Sequence, residues 1–213
     1  MILDFSGENS IQYSLKCINQ SSTSWYFYIF QRMSEQLEND IYSLVWMTSP
    51  YKIGVDSFVF FIWSLDTSLW WLDTGKLEAG VSPKSGGSIA ASLSSNNSTT
   101  FNIEDGTPKF SNTVSGMPSD KFLIMGGSDI PNSAFSTGTG ESYFPTFTKQ
   151  AYINTQQTFD SDATLWVAVT TSYIQAMDVL GQSNISNAAI VTFPLNRYNL
   201  TAVLGEDNTW NVF

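Results

Sequence analysis

The chain has 213 residues, 15% of them aromatic and only 13% charged, about half the usual charged share, with a net charge of −10 and a pI near 4.2. That balance excludes a nucleic-acid footprint and an affinity for anionic membrane surfaces. The absence of histidine removes the commonest general base and zinc ligand, and a single cysteine, Cys17, rules out an intramolecular disulfide or a Cys/His metal cluster.

The N-terminal MILDFSGENS has neither a cationic segment nor a long apolar core, so it does not read as a secretory signal and a cytoplasmic protein is expected. Ile11, Tyr13, Leu15 and Cys17 alternate with polar residues. This pattern predicts a strand with one face toward the core and Cys17 as a small buried hydrophobe. SWYFYIFQ (24–31) and SFVFFIWSL (57–65) are apolar on both faces. They predict central strands whose second face is covered by another layer or a partner chain. QRMSEQLEND (31–40) reads as an exposed loop with at most one helical turn. The apolar run 58–63 is much too short to span a bilayer.

Residues 82–142 are rich in Gly, Ser, Asn and Thr, with short strands expected near 87–92, 99–103, 108–114 and 121–126, and with NSAFSTGTGES (132–142) as a mobile loop. TLWVAVTTSY (164–173) and NAAIVTF (187–193) are further strands. RYNLTAVL (197–204) turns through GEDN into TWNVF (209–213) as a C-terminal hairpin. Asn-X-Ser/Thr triplets at Asn19, Asn96, Asn97, Asn184 and Asn199 carry no weight in a chain so rich in these residues. The expected fold is all-β: one antiparallel β-sandwich domain spanning 1–213, two packed sheets of jelly-roll or immunoglobulin-like type, with little helix.

Leu-Asp-Thr occurs at 65–67 and 72–74, the second copy running into Asp73-Thr74-Gly75. Asp-Thr-Gly is an aspartic-protease signature, but such an enzyme needs two carboxylates sharing a proton and a flap, and neither a second copy nor a flap is recognisable. The expected role is a turn in which Asp73 caps backbone N–H groups and Gly75 takes a positive φ. Trp70 and Trp71 are adjacent and point to opposite faces of a strand. An exposed indole beside Asp66 and Asp73 would stack on a sugar ring, so Asp66, Trp70, Trp71 and Asp73 form the candidate ligand site. The competing expectation buries both rings. Glu104, Asp105, Asp160 and Asp162 lack the spacing of a calcium loop. No segment suits entry into lipid. No catalytic residue, metal or cofactor is assigned.

VWMTSPYKIGVDSFVFFIWSLDTSLWWLDTGKLEAGV (45–81) resembles the central segment of the RhiA-type proteins, a small group noted as rhizosphere-expressed in rhizobia. The likeness rests on Trp46 to Pro50, Phe61 to Asp66 and Trp71 to Val81. ISNAAIVTFPLNRYNLTAVLGEDNTWNV (185–212) is similar to the family's ending. At the N-terminus the similarity is confined to NQSS before an aromatic strand, and the insertions between 95 and 145 match nothing in the family pattern. The resemblance implies an abundant intracellular bacterial protein under population-density control, with no assigned activity and no catalytic residues to carry over.

The functional expectation is therefore a non-enzymatic protein that associates with itself, as a homo-oligomer, filament or crystal lattice, in a structural or storage role. Low charge density and abundant aromatic anchors favour such contacts. The alternative is a lectin-like carbohydrate-binding module at Asp66, Trp70, Trp71 and Asp73. A cryptic hydrolase ranks third.

Overall fold

In the computed structural model, which describes residues 2–3, 11–33, 40–185 and 187–213, the period-two runs become strands. In chain order these are β1 (Ile2–Leu3), β2 (Tyr13–Asn19), β3 (Tyr26–Met33), β4 (Tyr42–Ser43), β5 (Met47–Thr48), β6 (Ser57–Trp63), β7 (Thr67–Asp73), β8 (Gly86–Ala90) and β9 (Ser98–Glu104). They continue with β10 (Thr107–Phe110), β11 (Lys121–Gly126), β12 (Phe135–Glu141), β13 (Phe144–Gln150), β14 (Gln156–Asp160), β15 (Ala163–Thr170), β16 (Ala188–Val191), β17 (Asn199–Leu204) and β18 (Trp210–Val212). A single 3₁₀ turn, Gln182–Ile185, is the helical content among the described residues. The loop expected at 31–40 is in part strand, since Gln31 to Met33 end β3; positions 34–39 lie outside the described residues.

The fold is all-β and sandwich-like, with four sheets where the spacing predicts two. Their orders are β1-β6-β2-β17-β18, β10-β9-β11-β14, β4-β13-β12-β7-β8 and β16-β15-β3-β5. Pairing is antiparallel except for β1 with β6, β2 with β17, and β9 with β11. The extra sheets arise because the Gly/Ser/Thr-rich middle forms strands that pair among themselves. Leu15, Phe61, Leu200 and Leu204 of the first sheet pack on Phe27, Ile29, Val167 and Val191 of the fourth, making one sandwich. Leu69 and Phe147 of the third sheet pack on Phe101, Phe122, Ile124 and Phe159 of the second, making another. Apart from β4, the second sandwich is drawn wholly from residues 67–160, a continuous segment nested between β6 and β15 of the first.

β2 lies inside its sheet between β6 and β17, and Cys17 is fully buried, which pushes its thiol far above the ordinary range. Ser14 and Asn199 are 185 positions apart yet bonded. Closing a loop that long costs on the order of 5 kcal/mol. Burial of Leu15, Leu200 and Leu204, each contributing roughly 1.5–3 kcal/mol, offsets it.

The second face of β3 is covered by the chain itself: Tyr28 and Phe30 pack against Val45, Ile174 and Leu180. β6 differs from the expectation. Its outward Phe58 is half exposed, and Phe60 and Ile62 are partly so, with Lys16 lying over the two phenyl rings. Two of the dismissed Asn-X-Ser/Thr asparagines are buried and structural. Asn19 donates to the carbonyls of Thr23 and Ile53, and Asn97 donates to those of Gly116, Pro118 and Lys121.

The expected mobile loop 132–142 is instead largely β12, paired on both sides with β7 and β13. Its small residues are demanded by crowding. A Cβ at Gly138 would lie 1.8 Å from the Phe147 carbonyl oxygen, and one at Gly140 would lie 2.6 Å from the indole nitrogen of Trp70. On the other side of β7, a Cβ at Gly87 would lie 2.7 Å from the indole nitrogen of Trp71. A tryptophan-bearing strand is thus flanked by glycine-bearing ones. Gly138→Ala should lower stability by about 1–3 kcal/mol or more, read as a shift in the urea midpoint at unchanged slope. A midpoint equal to the parent's would contradict this packing.

Candidate functional site

Besides the excursion that adds β4, the chain passes between the two sandwiches through 64–66 and through 161–162, and a cleft opens where these two crossings meet. Strand ends supply its walls: β2 begins with Tyr13, β7 with Thr67 and β15 with Ala163, while β6 ends at Trp63, β12 at Glu141 and β14 at Asp160. The cleft has two lobes of about 370 and 470 Å³ that share Gln31, Leu65, Glu141, Ser161 and Ala163.

The first lobe is aromatic. Tyr13 stacks at 6.0 Å on Trp63 and meets Phe193 edge-on at 5.1 Å; Trp46 lies 5.3 Å from Trp63. Trp46 and Trp63 are buried, so Tyr13 and Phe193 carry the open part of this wall. The second lobe is polar, with Asp66, Thr67, Ser92, Ser94, Thr139 and Asp160. The first lobe also carries Thr164 and Thr192 and the second Leu93, Phe122 and Phe147, so each sets apolar surface beside hydrogen-bonding groups, the rings dominating the first and the polar groups the second.

Glu141 stands at the waist. A bulge leaves Thr146 unmatched in the β12–β13 ladder just before it, an irregularity that re-aims neighbouring side chains. Its main-chain carbonyl accepts the indole N–H of Trp46 at 2.9 Å. Its Oε2 accepts from Nε2 of buried Gln31 at 3.0 Å, and Oε1 has no protein partner among the described residues. Burial pushes this carboxyl above the ordinary range, and the Gln31 bond pulls the other way without cancelling it.

Asp66 sits alongside. Its main-chain oxygen accepts from the amide of Ser142, and its Oδ2 accepts from Ser64 Oγ at 2.5 Å. The buried Ser142 hydroxyl accepts from the Ser64 amide, so the crossing and the β12–β13 hairpin tip are tied together. Asp160 is paired with Lys121 at 2.7 Å. No three acidic or cysteine side chains among the described residues are grouped to hold a metal ion.

Of the four residues singled out in the sequence, the structure brings only Asp66 to the cleft. Trp71 lies in the second sandwich, stacked 6.0 Å from Phe101 and edge-on to Phe135. Trp70 takes the opposite face, packing near Leu44, Leu72 and Val179 with its N–H on Ser68 Oγ. Asp73 ends β7, its main chain bonded to Ser85 and Lys84 in a ladder where a side-chain cap was expected. Gly75 has φ +63°, as the turn requires, and Gln150 clamps the loop by bonding Gly75 and Leu77. Glu141, Gln31, Tyr13 and Phe193 were not singled out. The available signal was a lone carboxylate closing a run of small residues before Tyr143 and Phe144.

Two outcomes follow. Trp71→Ala should cost about 3 kcal/mol in thermal or chemical unfolding, the lower end for a large ring because Trp71 is only partly buried. Glu141 holds its proton more tightly folded than unfolded. Its contribution to stability is therefore complete below the ordinary carboxyl range and is lost as pH rises through the raised value. Glu141→Gln should gain stability relative to the parent as pH climbs from about 4 to 8. A difference that stays constant across that range would show that the carboxyl is not held protonated.

A family model for RhiA matches residues 10–213. Protein RhiA of Rhizobium leguminosarum bv. viciae is 37% identical over 201 residues, covering 94% of this chain and 86% of that protein. No solved structure matches the chain. The match thus includes every strand that builds the cleft, and the chain belongs to the RhiA family.

Proposed function

We propose that this RhiA-family protein binds a carbohydrate in the cleft between its two sandwiches. The observation that carries the reading is the waist: an incompletely partnered Glu141 carboxyl set between an aromatic lobe and a hydroxyl- and carboxylate-lined lobe. Sugars present one apolar face and a rim of hydroxyls, and sites for such ligands combine an apolar wall with a few placed polar groups. Titration with a panel of neutral oligosaccharides should change the tryptophan fluorescence through Trp63 and Trp46. Phe193→Ala should weaken binding by about tenfold or more, equivalent to about 1.4 kcal/mol, whereas Trp70→Phe should leave it unchanged. Folded protein that binds none of the panel would overturn the reading.

Self-association is the second reading, supported by a different surface. Ile18, Phe58, Phe60, Ile62 and Val203 share the outward face of the first sheet, a contiguous apolar patch interrupted by Lys16. A second copy covering it gives the structural or storage assembly, in the cytoplasm, that the composition suggests. The net charge of −10 opposes contact, so association should strengthen across about 0.05–0.5 M salt, and Phe58→Glu should abolish it in light scattering. A strict monomer at every salt concentration defeats this second reading.

A further inference from the structure

Resting on the carbohydrate reading, we propose that the cleft cleaves the saccharide it binds, with Glu141 as general acid and Asp66 as general base of glycoside hydrolysis. The two lobes share five lining residues, so a saccharide with sugar units in both would cross the residues common to both. Glu141 is the one titratable side chain among those shared residues. Gln31 fixes its Oε2 at 3.0 Å, while Oε1 keeps no protein partner among the described residues and is available to the linkage oxygen. Burial keeps the carboxyl protonated to a higher pH than usual, the state a proton donor needs. Asp66 lines the polar lobe together with Glu141, and its carbonyl bonds the amide of Ser142, the residue that follows Glu141. Ser64 orients the Asp66 carboxylate.

The step balances without any co-reactant but water. Glu141 gives its proton to the bridging oxygen as the bond from that oxygen to the anomeric carbon breaks. Water adds to the anomeric carbon and gives a proton to Asp66, and solvent returns that proton to Glu141. One carboxyl that gives a proton and a second that takes one from water are the usual basis of this chemistry.

The test incubates the full chain with α- and β-linked tetrasaccharides of glucose, galactose, mannose and N-acetylglucosamine, following anomeric signals by NMR and binding by fluorescence in the same samples. Cleavage is expected at an internal linkage. Its rate should fall on the alkaline side as Glu141 loses its proton. Glu141→Gln should bind within about twofold of the parent and cleave about 10²–10⁴-fold more slowly, and Asp66→Asn should also be slowed. Asp73→Asn, remote from the cleft, should cleave at the parental rate. A tetrasaccharide bound but left intact overturns hydrolysis and leaves the binding reading standing, whereas no binding at all overturns both. Cleavage that persists undiminished in Glu141→Gln removes the assigned acid.

Discussion

The hydrogen bond from the indole of Trp46 to the carbonyl of Glu141 ties the core of one sandwich to a strand end of the other. Trp46 lies on the short strap that forms β4 in the third sheet and β5 in the fourth, so one segment belongs to both sandwiches. Main-chain bonds secure it on each side: the Leu44 amide to Thr146, the Trp46 amide to Ile29, and the Leu180 amide to Ser43. With the indole fully buried against Trp63, an unpaired N–H would cost about 1–3 kcal/mol, and the carbonyl at the end of β12 satisfies it. The same bond fixes the main chain from which the Glu141 carboxyl projects. Core packing and cleft geometry therefore share one constraint.

A second dependence is one of size. β7 carries two adjacent indoles on opposite faces, and its neighbours β8 and β12 answer with glycines at the positions the rings cross. Polar residues inside this crowded region bond one another. Thr148 bonds Ser136, Thr137 bonds Gln157, and Gln157 bonds the Gln150 carbonyl. Gly, Ser and Thr here are not solvent loop residues but the small, hydrogen-bonded partners that let large rings lie flat.

This explains what could be read from sequence and what could not. Strands whose period-two pattern faces a single core, such as β2 and β17, announce themselves, as does the hairpin from β17 to β18. The apolar second face of β3 correctly implied a covering layer, found in Ile174 and Leu180. β12 was illegible, because Phe-Ser-Thr-Gly-Thr-Gly-Glu has the composition of a loop and becomes a strand only through the indoles beside it, a tertiary effect overriding local preference. Trp70 and Trp71, each partly buried, lie on opposite faces of β7 beside those small residues. Glu141 was hidden twice over, at the end of that unrecognised strand and partnered by Gln31, 110 positions away. Asp66 was legible only as half of a repeated tripeptide.

The nesting of one sandwich within the other gives the chain an order of assembly. Every strand of the second and third sheets has been made once synthesis passes Asp160, including the early β4. The outer sandwich at that moment still lacks β15 to β18, and with them the longer-paired neighbour of β3 and the parallel neighbour of β2. Domains that complete early fold early during translation, and long-range pairings wait for the residues they need. The strands of the inner sandwich are thus all available before the outer one can close, and the cleft, which needs Phe193, is completed only after them.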